Sequence, residues 1–585
     1  MAHVMSLGAA DQALQAPRIT IRHGTTVFLA LFGLALAIRL IGIDWHGYHP
    51  DENPRAAARV LAGDLTVESF YPPLFDYLIA AAYVALYAIG RVASWWDSTT
   101  AFRDAYFSDP LVFYLASRVV TAILSAFLAP LTFVFGIVHG ISSRSAALAG
   151  AAAALIPGSI FWAHIAKSDV ALAPAFLLVG IAASLVIARP GQRGRQALLA
   201  LAIALAVSIK HSAIFFLGPL MLLMLVISTQ QPHPGRLAAA WLISLIGAAI
   251  LWVPLNIGII LDPEPFLAAQ RVQAIMSLRS SDPGGTMAAV MATLTSADTG
   301  LPIYLILLWA LIPLPLLLVS PAAGRPFVRM MLIVQAATAL AMLMLVYLGG
   351  IRQPTNLWLP YISLIAVTIL LTLAAYLDRP PGRERGVAFG LMLLCVVSFS
   401  MRTMPIVQQA IVPPNAAVIA RHIRSIAAPG ARILSAVDLS SSLPVSRDSY
   451  TEQRARHERL ARKYGVTLPP SSRPLVPDPA GAYTIVPFPF VIGGLESVPP
   501  DQVTTVVAYA WPLQPEEWQL NHWQERGFRY VVADRAGHNH PVQAYRSFYR
   551  ELAARCRTHA QVRTAKPLFW EQDVAIYDCA VASRS

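Results

Sequence analysis

Long apolar runs alternate with short polar gaps over the first two thirds of the chain. Most of these runs are long enough to cross a bilayer as a helix, which takes about 20 residues. We interpret eleven of them as spans: 25–43, 111–138, 146–163, 170–188, 197–209, 213–228, 237–258, 301–320, 328–348, 357–377 and 387–404. The pattern therefore predicts a polytopic α-helical membrane protein.

Two apolar stretches need a decision before the spans can be counted. Residues 74–92 carry Asp76 and several tyrosines and are bracketed by prolines and charges, so we place them as an interfacial helix. They then form part of one outer loop over 44–110. Residues 197–228 are too long for one span, and Lys210 with His211 divides them into two short spans.

Arginine positions orient the predicted spans. With the choices above, every cytoplasmic loop carries arginine, as the positive-inside rule requires. These arginines are Arg18, Arg22, Arg144, Arg189, Arg193, Arg195, Arg236, Arg325, Arg329, Arg379, Arg383 and Arg385. They place the N-terminus in the cytoplasm. We expect the protein to lie in a bacterial inner membrane, and we predict no cleavable signal peptide in the first 24 residues.

Composition agrees with this class. Hydrophobic residues make up 56% of the 585 residues and charged residues only 13%, which is unusual for a soluble protein. The formal net charge of +12 is explained by the arginines between spans, so no nucleic-acid partner is expected.

The composition changes after the last span. Residues 407–585 are richer in charge and proline, and they predict a small α/β domain on the outer surface. Strands are expected at 431–437 and 529–533, and helices at 416–427, 516–526 and 542–554. The remaining units are a cytoplasmic tail over 1–24 and a membrane module over 25–406, with a second large outer loop at 259–300.

Two cysteines belong to this outer domain, where disulfides persist. Cys556 ends a predicted helix and Cys579 ends a predicted strand, so a disulfide between them is predicted. The alternative is two independent buried thiols.

Two adjacent carboxylates follow the first span directly, in the run His49-Pro50-Asp51-Glu52. A carboxylate there can take a proton from an attacking hydroxyl, as glycosyl transfer requires. The alternative is a solvated loop with two acids.

The predicted topology brings further polar side chains to the same outer face, as a site between helices would require. With Asp51 and Glu52 they are Lys167, Asp169, Lys210, His211, Arg271, Arg279 and Arg352. Lysine is rare, with only four against forty arginines, and two of the four fall at this face.

Four short motifs in this order resemble GT-C-fold glycosyltransferases that use a polyprenyl-phosphate sugar, such as protein O-mannosyltransferases and lipid A aminoarabinose transferases. They begin with the acidic motif at Asp51 and Glu52. The others are Gly63-Asp64-Leu65 with Tyr71-Pro72-Pro73-Leu74, Lys167-Ser168-Asp169 at the second acidic position, and a degraded late motif from Arg352 to Pro360.

The resemblance implies an inverting transfer at the outer face. It makes Asp51 the general base and includes Glu52 and Asp169 in the catalytic set. Lys210, Arg352 and His211 are the candidates for holding the donor phosphate. Residues Arg271, Arg279 and Lys167 are candidates for contacting the acceptor or forming a lid.

The chain also departs from the family pattern. Phe70-Tyr71-Pro72 stands where aminoarabinose transferases carry a Glu-Lys pair used for metal and phosphate, which argues against a metal here. No cofactor is expected. The partners implied are a polyprenyl-phosphate-linked sugar, membrane lipids, and a lipid, glycan or protein acceptor.

Two alternatives stay open at this point. One is a transporter or flippase of lipid-linked sugars, and the other is a non-catalytic homologue that binds lipid carriers. Arg39 and Arg118 lie inside apolar spans, where they would reach the lipid phosphate or, as we expect, snorkel to the interface.

Overall fold

The computed structural model describes most of the chain. The described residues are 21–44, 52, 54–65, 71–108, 110–229, 233–278, 283–296, 299–313, 324–349, 355–463, 478–487, 515–535, 543–569 and 571–580.

The described part of the chain is mainly helical, with one small sheet. The helices are α1 (Ile21–Leu40), α2 (Pro54–Leu61), α3 (Leu74–Val92), α4 (Thr99–Ser108), α5 (Leu111–Ala126), α6 (Leu128–Val138), α7 (Ser143–Ala154), α8 (Pro157–Ala163), α9 (Leu172–Ala188), α10 (Arg193–Ile209), α11 (Ile214–Ser228), α12 (Pro234–Leu255), α13 (Ile257–Leu261), α14 (Glu264–Leu278), α15 (Pro283–Leu294), α16 (Ile303–Leu311), α17 (Gly324–Gly349), α18 (Thr355–Leu377), α19 (Arg383–Ile411), α20 (Asn415–Ile426), α21 (Arg447–Lys463), α22 (Leu520–Glu525) and α23 (Gln543–Arg555). The strands are β1 (Arg432–Ser435), β2 (Thr484–Pro487), β3 (Phe528–Asp534), β4 (Arg557–Val562) and β5 (Val574–Asp578).

The membrane module is a bundle of apolar helices. Among the described residues, eight helices are long and apolar enough to cross a membrane, or up to nine if the bent pair α7–α8 is one span. Helix α18 lies at the centre of the bundle, where nearly all its residues are buried. The chain is thus a polytopic helical membrane protein, as its hydropathy predicts. The span count of eleven stays a prediction, as does the interfacial placement of α3, which is one continuous 19-residue apolar helix.

The predicted break at Lys210 is present. Helix α10 ends at Ile209, Lys210 is extended, and a 3₁₀ turn over His211–Ala213 leads into α11. The predicted span 146–163 is also interrupted, because α7 and α8 meet at an angle of 52°. Pro157 explains that bend, since a residue before proline is driven out of the helical region, and Ile156 is extended.

A buried arginine from α1 fills the bend between α7 and α8. Arg39 donates to the carbonyl oxygen of Ala154 at 3.3 Å and to the hydroxyl of Ser125 at 2.8 Å. Ser125 in turn donates to the carbonyl oxygen of Ser159 at 3.0 Å. The guanidinium therefore ties three helices together at the point where the helical hydrogen bonds are interrupted.

The C-terminal domain, named the outer domain for its predicted side of the membrane, is built on a five-stranded mixed sheet with strand order β2-β1-β3-β5-β4. β1 pairs in parallel with β2 and β3, and β5 pairs antiparallel with β3 and β4. The predicted strands at 431–437 and 529–533 correspond to β1 and β3. The predicted helices correspond to α20, to α22 with the 3₁₀ turn before it, and to α23.

Alternating side chains bury both faces of this sheet, as the period of two in a strand requires. Val532 and Ile576 pack with Ile419 of α20 on one face. Their strand neighbours pack against α22 and α23 on the other face, for example Val531 against Phe548. The sheet is therefore the middle of three layers.

The predicted disulfide is confirmed. Cys556 follows the end of α23 and Cys579 follows the end of β5, and their sulfur atoms are bonded. Their Cα atoms lie 4.4 Å apart. Cys395 is a buried free cysteine of the membrane module.

Candidate functional site

A buried ion pair fixes Glu52, the described residue of the acidic motif after the first span. The guanidinium of Arg118 on α5 donates from Nε and Nη2 to the two carboxylate oxygens of Glu52, at 2.7 and 2.8 Å. Both side chains are fully buried. The backbone N–H of Ala166 also donates to Oε1 of Glu52, at 2.9 Å. A two-pronged pair with an added backbone donor fixes the position and orientation of this carboxylate.

A second buried pair joins the two later motifs. The ammonium group of Lys210 lies 2.5 Å from Oδ1 of Asp169, and both side chains are almost completely buried. Lys210 also sits over the ring of Tyr71, with its nitrogen 4.8 Å from the centroid. Oδ2 of Asp169 is buried and makes no hydrogen bond within the described part of the chain.

Both lysines of this region have an extended backbone conformation and lie at helix ends. Lys167 has φ −140° and ψ 141° before the 3₁₀ turn Ser168–Ala171, which opens α9. Lys210 has φ −159° and ψ 127° between α10 and the turn into α11. An interrupted helix offers polar backbone groups and room for charged side chains inside a membrane protein.

The two pairs meet on one short connection, residues 165–169, which joins α8 to the start of α9. Glu52 accepts from the N–H of Ala166, and Lys210 holds the side chain of Asp169. Lys167 lies between them, with its ammonium group 5.7 Å from the centre of the Trp162 ring. These described residues contribute three cations against two carboxylates, so the cluster suits an anionic ligand.

The other predicted site residues do not all lie near this cluster. His211 follows Lys210 in the chain, and its ring centroid lies 6.2 Å from that of Phe266. Its Nδ1 makes no hydrogen bond among the described residues. Arg271 is exposed on α14, where it pairs with the exposed Glu264 at 3.4 Å. The predicted residues Asp51, Arg279 and Arg352 lie outside the described residues.

Sequence reasoning missed the partners of the carboxylates. The expectation that Arg39 and Arg118 snorkel is wrong, because both side chains are fully buried in protein. The available signal was a charge within an apolar run, which is costly unless it is paired. Asp64 follows the turn at the end of α2, where its N–H donates to the carbonyl oxygen of Arg59 and its carboxylate accepts from the Arg59 side chain.

Within the described ranges, no group of three or more His, Cys, Asp or Glu side chains is arranged to hold a metal ion.

Comparisons with known proteins gave structural similarity only. No family model and no curated protein matches the chain. ArnT from Cupriavidus metallidurans, in a crystal structure bound to undecaprenyl phosphate, is similar with a TM-score of 0.49 and 14% identity over 95% of this chain and 99% of that one. The Archaeoglobus fulgidus oligosaccharyltransferase, in its apo form, gives a TM-score of 0.42 and 11% identity over 88% and 70%.

Proposed function

We propose that the protein is an integral-membrane inverting glycosyltransferase. It moves a sugar from a polyprenyl-phosphate-linked donor to an acceptor hydroxyl on the outer face of the bacterial inner membrane. The main support is the pair of buried carboxylate–cation contacts that converge on residues 165–169, at helix ends of a membrane module.

Asp51 is the general base in this proposal. Its carboxylate takes the proton of the acceptor hydroxyl as that oxygen attacks the anomeric carbon from the face opposite the phosphate. The bond between the anomeric carbon and the phosphate oxygen breaks at the same time, so the configuration inverts. Polyprenyl phosphate leaves as an anion that is stable in water, and no general acid is needed.

Glu52 has a different task, because Arg118 and the N–H of Ala166 already occupy its oxygens. It anchors the acidic motif to residues 165–169 and so orients its neighbour in sequence, Asp51. A fixed base close to its substrate is more effective than a mobile one.

The donor phosphate is held by cations. Lys210 is our first candidate, with Arg352 and His211 beside it, since preorganised positive charge stabilises a departing phosphate. Asp169 keeps the ammonium group of Lys210 in place. Lys167, with Arg271 and Arg279 from the 259–300 loop, is the candidate for contacting the acceptor.

The experiment is mass spectrometry of envelope lipids, glycans and proteins from cells with and without this protein. We expect one class of molecule to carry an added sugar mass only when the protein is present. Reconstitution in vesicles distinguishes the proposed enzyme from a flippase. A flippase moves a lipid-linked sugar across the bilayer without an acceptor, and the proposed enzyme does not. Movement of intact donor without transfer would contradict the proposal.

A further inference from the structure

One loop of the outer domain reaches into the membrane module. It connects β4 to β5, and its tip, defined here as residues 564–569, contains the 3₁₀ turn Pro567–Phe569. The side chains of Lys566 and Phe569 at this tip are 0% and 4% exposed. Both residues are therefore buried between the two domains rather than in the core of their own domain.

Polar contacts fasten the tip to the end of the last membrane helix. The ammonium group of Lys566 donates to the carbonyl oxygen of Ala410 at 3.2 Å. The N–H of Leu568 donates to the side-chain oxygen of Gln409 at 3.2 Å. A few residues further on, Glu571 accepts from the N–H of Asn415 at 3.0 Å. The loop is therefore hydrogen-bonded to the end of α19 and the start of α20.

The apolar part of the tip packs behind the second acidic motif. The ring of Phe569 lies 5.1 Å from that of Phe161 on α8, in a buried cluster that also contains Trp162 and Val170. Trp162 lies under Lys167, and Val170 follows Asp169 directly.

A second path leads from the tip toward the first acidic motif. The ring of Phe569 lies 6.1 Å from that of His164, the residue that ends α8. Nδ1 and Nε2 of His164 each lie 2.8 Å from a backbone carbonyl oxygen, those of Ile160 and Ile41. Ile41 lies at the end of the first span, from which the chain continues into the motif with Asp51 and Glu52.

We propose that the tip is a positioning element for the transferase site, and that Phe569 is its principal residue. The inference rests on the proposed function for its catalytic consequence. The outer domain then contributes to the site through its tip, which supports residues 165–169, on which both buried ion pairs depend. Phe569 touches neither donor nor acceptor and acts through α8.

The first test compares two truncations of equally buried phenylalanines. Phe569→Ala should lower kcat at least tenfold while KM for the donor changes less than twofold, and Phe569→Leu should restore most of the loss. Phe548→Ala is the matched control, because Phe548 is fully buried in the outer domain's own core on α23. Assayed below both unfolding temperatures, Phe548→Ala should keep the wild-type kcat. An unchanged kcat in Phe569→Ala, or an equal loss in both variants, would overturn the inference.

The second test needs no substrate. Ser168 is buried, and its hydroxyl has no hydrogen-bond partner among the described residues, so cysteine fits its place. In a Cys395→Ala background, Ser168→Cys should react slowly with a small thiol reagent. Phe569→Ala should speed that reaction at least tenfold and Phe548→Ala should not. Equal labelling rates in Ser168→Cys with and without Phe569→Ala or Phe548→Ala would overturn the positioning role, even if the protein transfers sugar. If the labelling rates differ as expected but the wild type transfers no sugar, only the proposed function is contradicted.

Discussion

At the scale of single residues, the site depends on charges that water does not reach. Glu52 and Arg118 are fully buried together, and neither would be tolerated there alone, because an uncompensated buried charge is strongly destabilising. The pair fixes the position of Glu52, which in the proposed mechanism orients the neighbouring base.

Breaking the Glu52–Arg118 pair should therefore cost stability and turnover together. Arg118→Met should lower the free energy of unfolding by about 3–5 kcal/mol, and Arg118→Lys should recover only part, since it cannot donate from two sites at once. Thermal unfolding in detergent measures this. The control is Asp104→Asn, which breaks an ion pair of two partly exposed side chains with Arg103 and should change stability by less than about 1 kcal/mol. Equal effects of Arg118→Met and Asp104→Asn would show that the buried pair has no special role.

Lys210 should reveal itself through the donor phosphate. Lys210→Met removes the cation and should weaken donor binding at least tenfold, and polyprenyl phosphate should compete poorly in this variant. Uncharged polyprenol should bind wild type and variant alike. Lys210→Met combined with Asp169→Asn should regain stability, because no buried carboxylate is then left without a cation. The double variant should not regain donor binding. Full competition by polyprenyl phosphate in Lys210→Met would place the phosphate elsewhere.

At the scale of elements, the sequence predicts those helices, strands and breaks that depend on a local pattern of residues. The apolar period, the arginine-bearing gaps and the break at Lys210 are local signals, and the outer strands and helices follow from period and burial. The partners of Glu52 are not local, since Arg118 is 66 residues away and Ala166 is 114 residues away. The same holds for the tip, whose Lys566 contacts Ala410 across 156 residues. Such contacts depend on packing, which a single sequence does not encode in any local signal.

The tip should also respond to pH through Lys566. Burial lowers the pKa of Lys566 to about 8 from its ordinary 10.5, although Glu571 and Asp44 raise it and Arg118 lowers it further. Between these two pH values the undocked tip binds a proton that the docked tip does not, so docking strengthens as pH rises from about 8 to about 10.5. The unfolding temperature of wild type minus that of Lys566→Met should increase across this window. A constant or falling difference would contradict the buried placement of the ammonium group.

At the scale of the whole molecule, the proposal requires the site and the outer domain to share one side of the membrane. The tip already joins them in the structure, through the packing of Phe569 against Phe161 of α8. Arginine positions predict that this side lies outside, with the N-terminus in the cytoplasm.

Single cysteines at exposed or partly exposed positions test this arrangement in a Cys395→Ala background. Asp64→Cys and Ser425→Cys should react with an impermeant thiol reagent in whole cells whose outer membrane is permeabilised. Arg193→Cys and Arg383→Cys should react only after the inner membrane is opened. Labelling of Arg193→Cys in intact cells, with Asp64→Cys silent, would invert the topology.

The central claim is that Asp51 accepts the proton of the acceptor hydroxyl during sugar transfer. The most direct measurement is turnover of purified wild type and Asp51→Asn, with the donor and acceptor classes found by mass spectrometry. Asp51→Asn keeps the size and hydrogen bonding of the side chain but cannot take a proton, so we expect a loss of at least about 10²–10⁴-fold with donor binding retained. Turnover near the wild-type rate in Asp51→Asn would contradict the account.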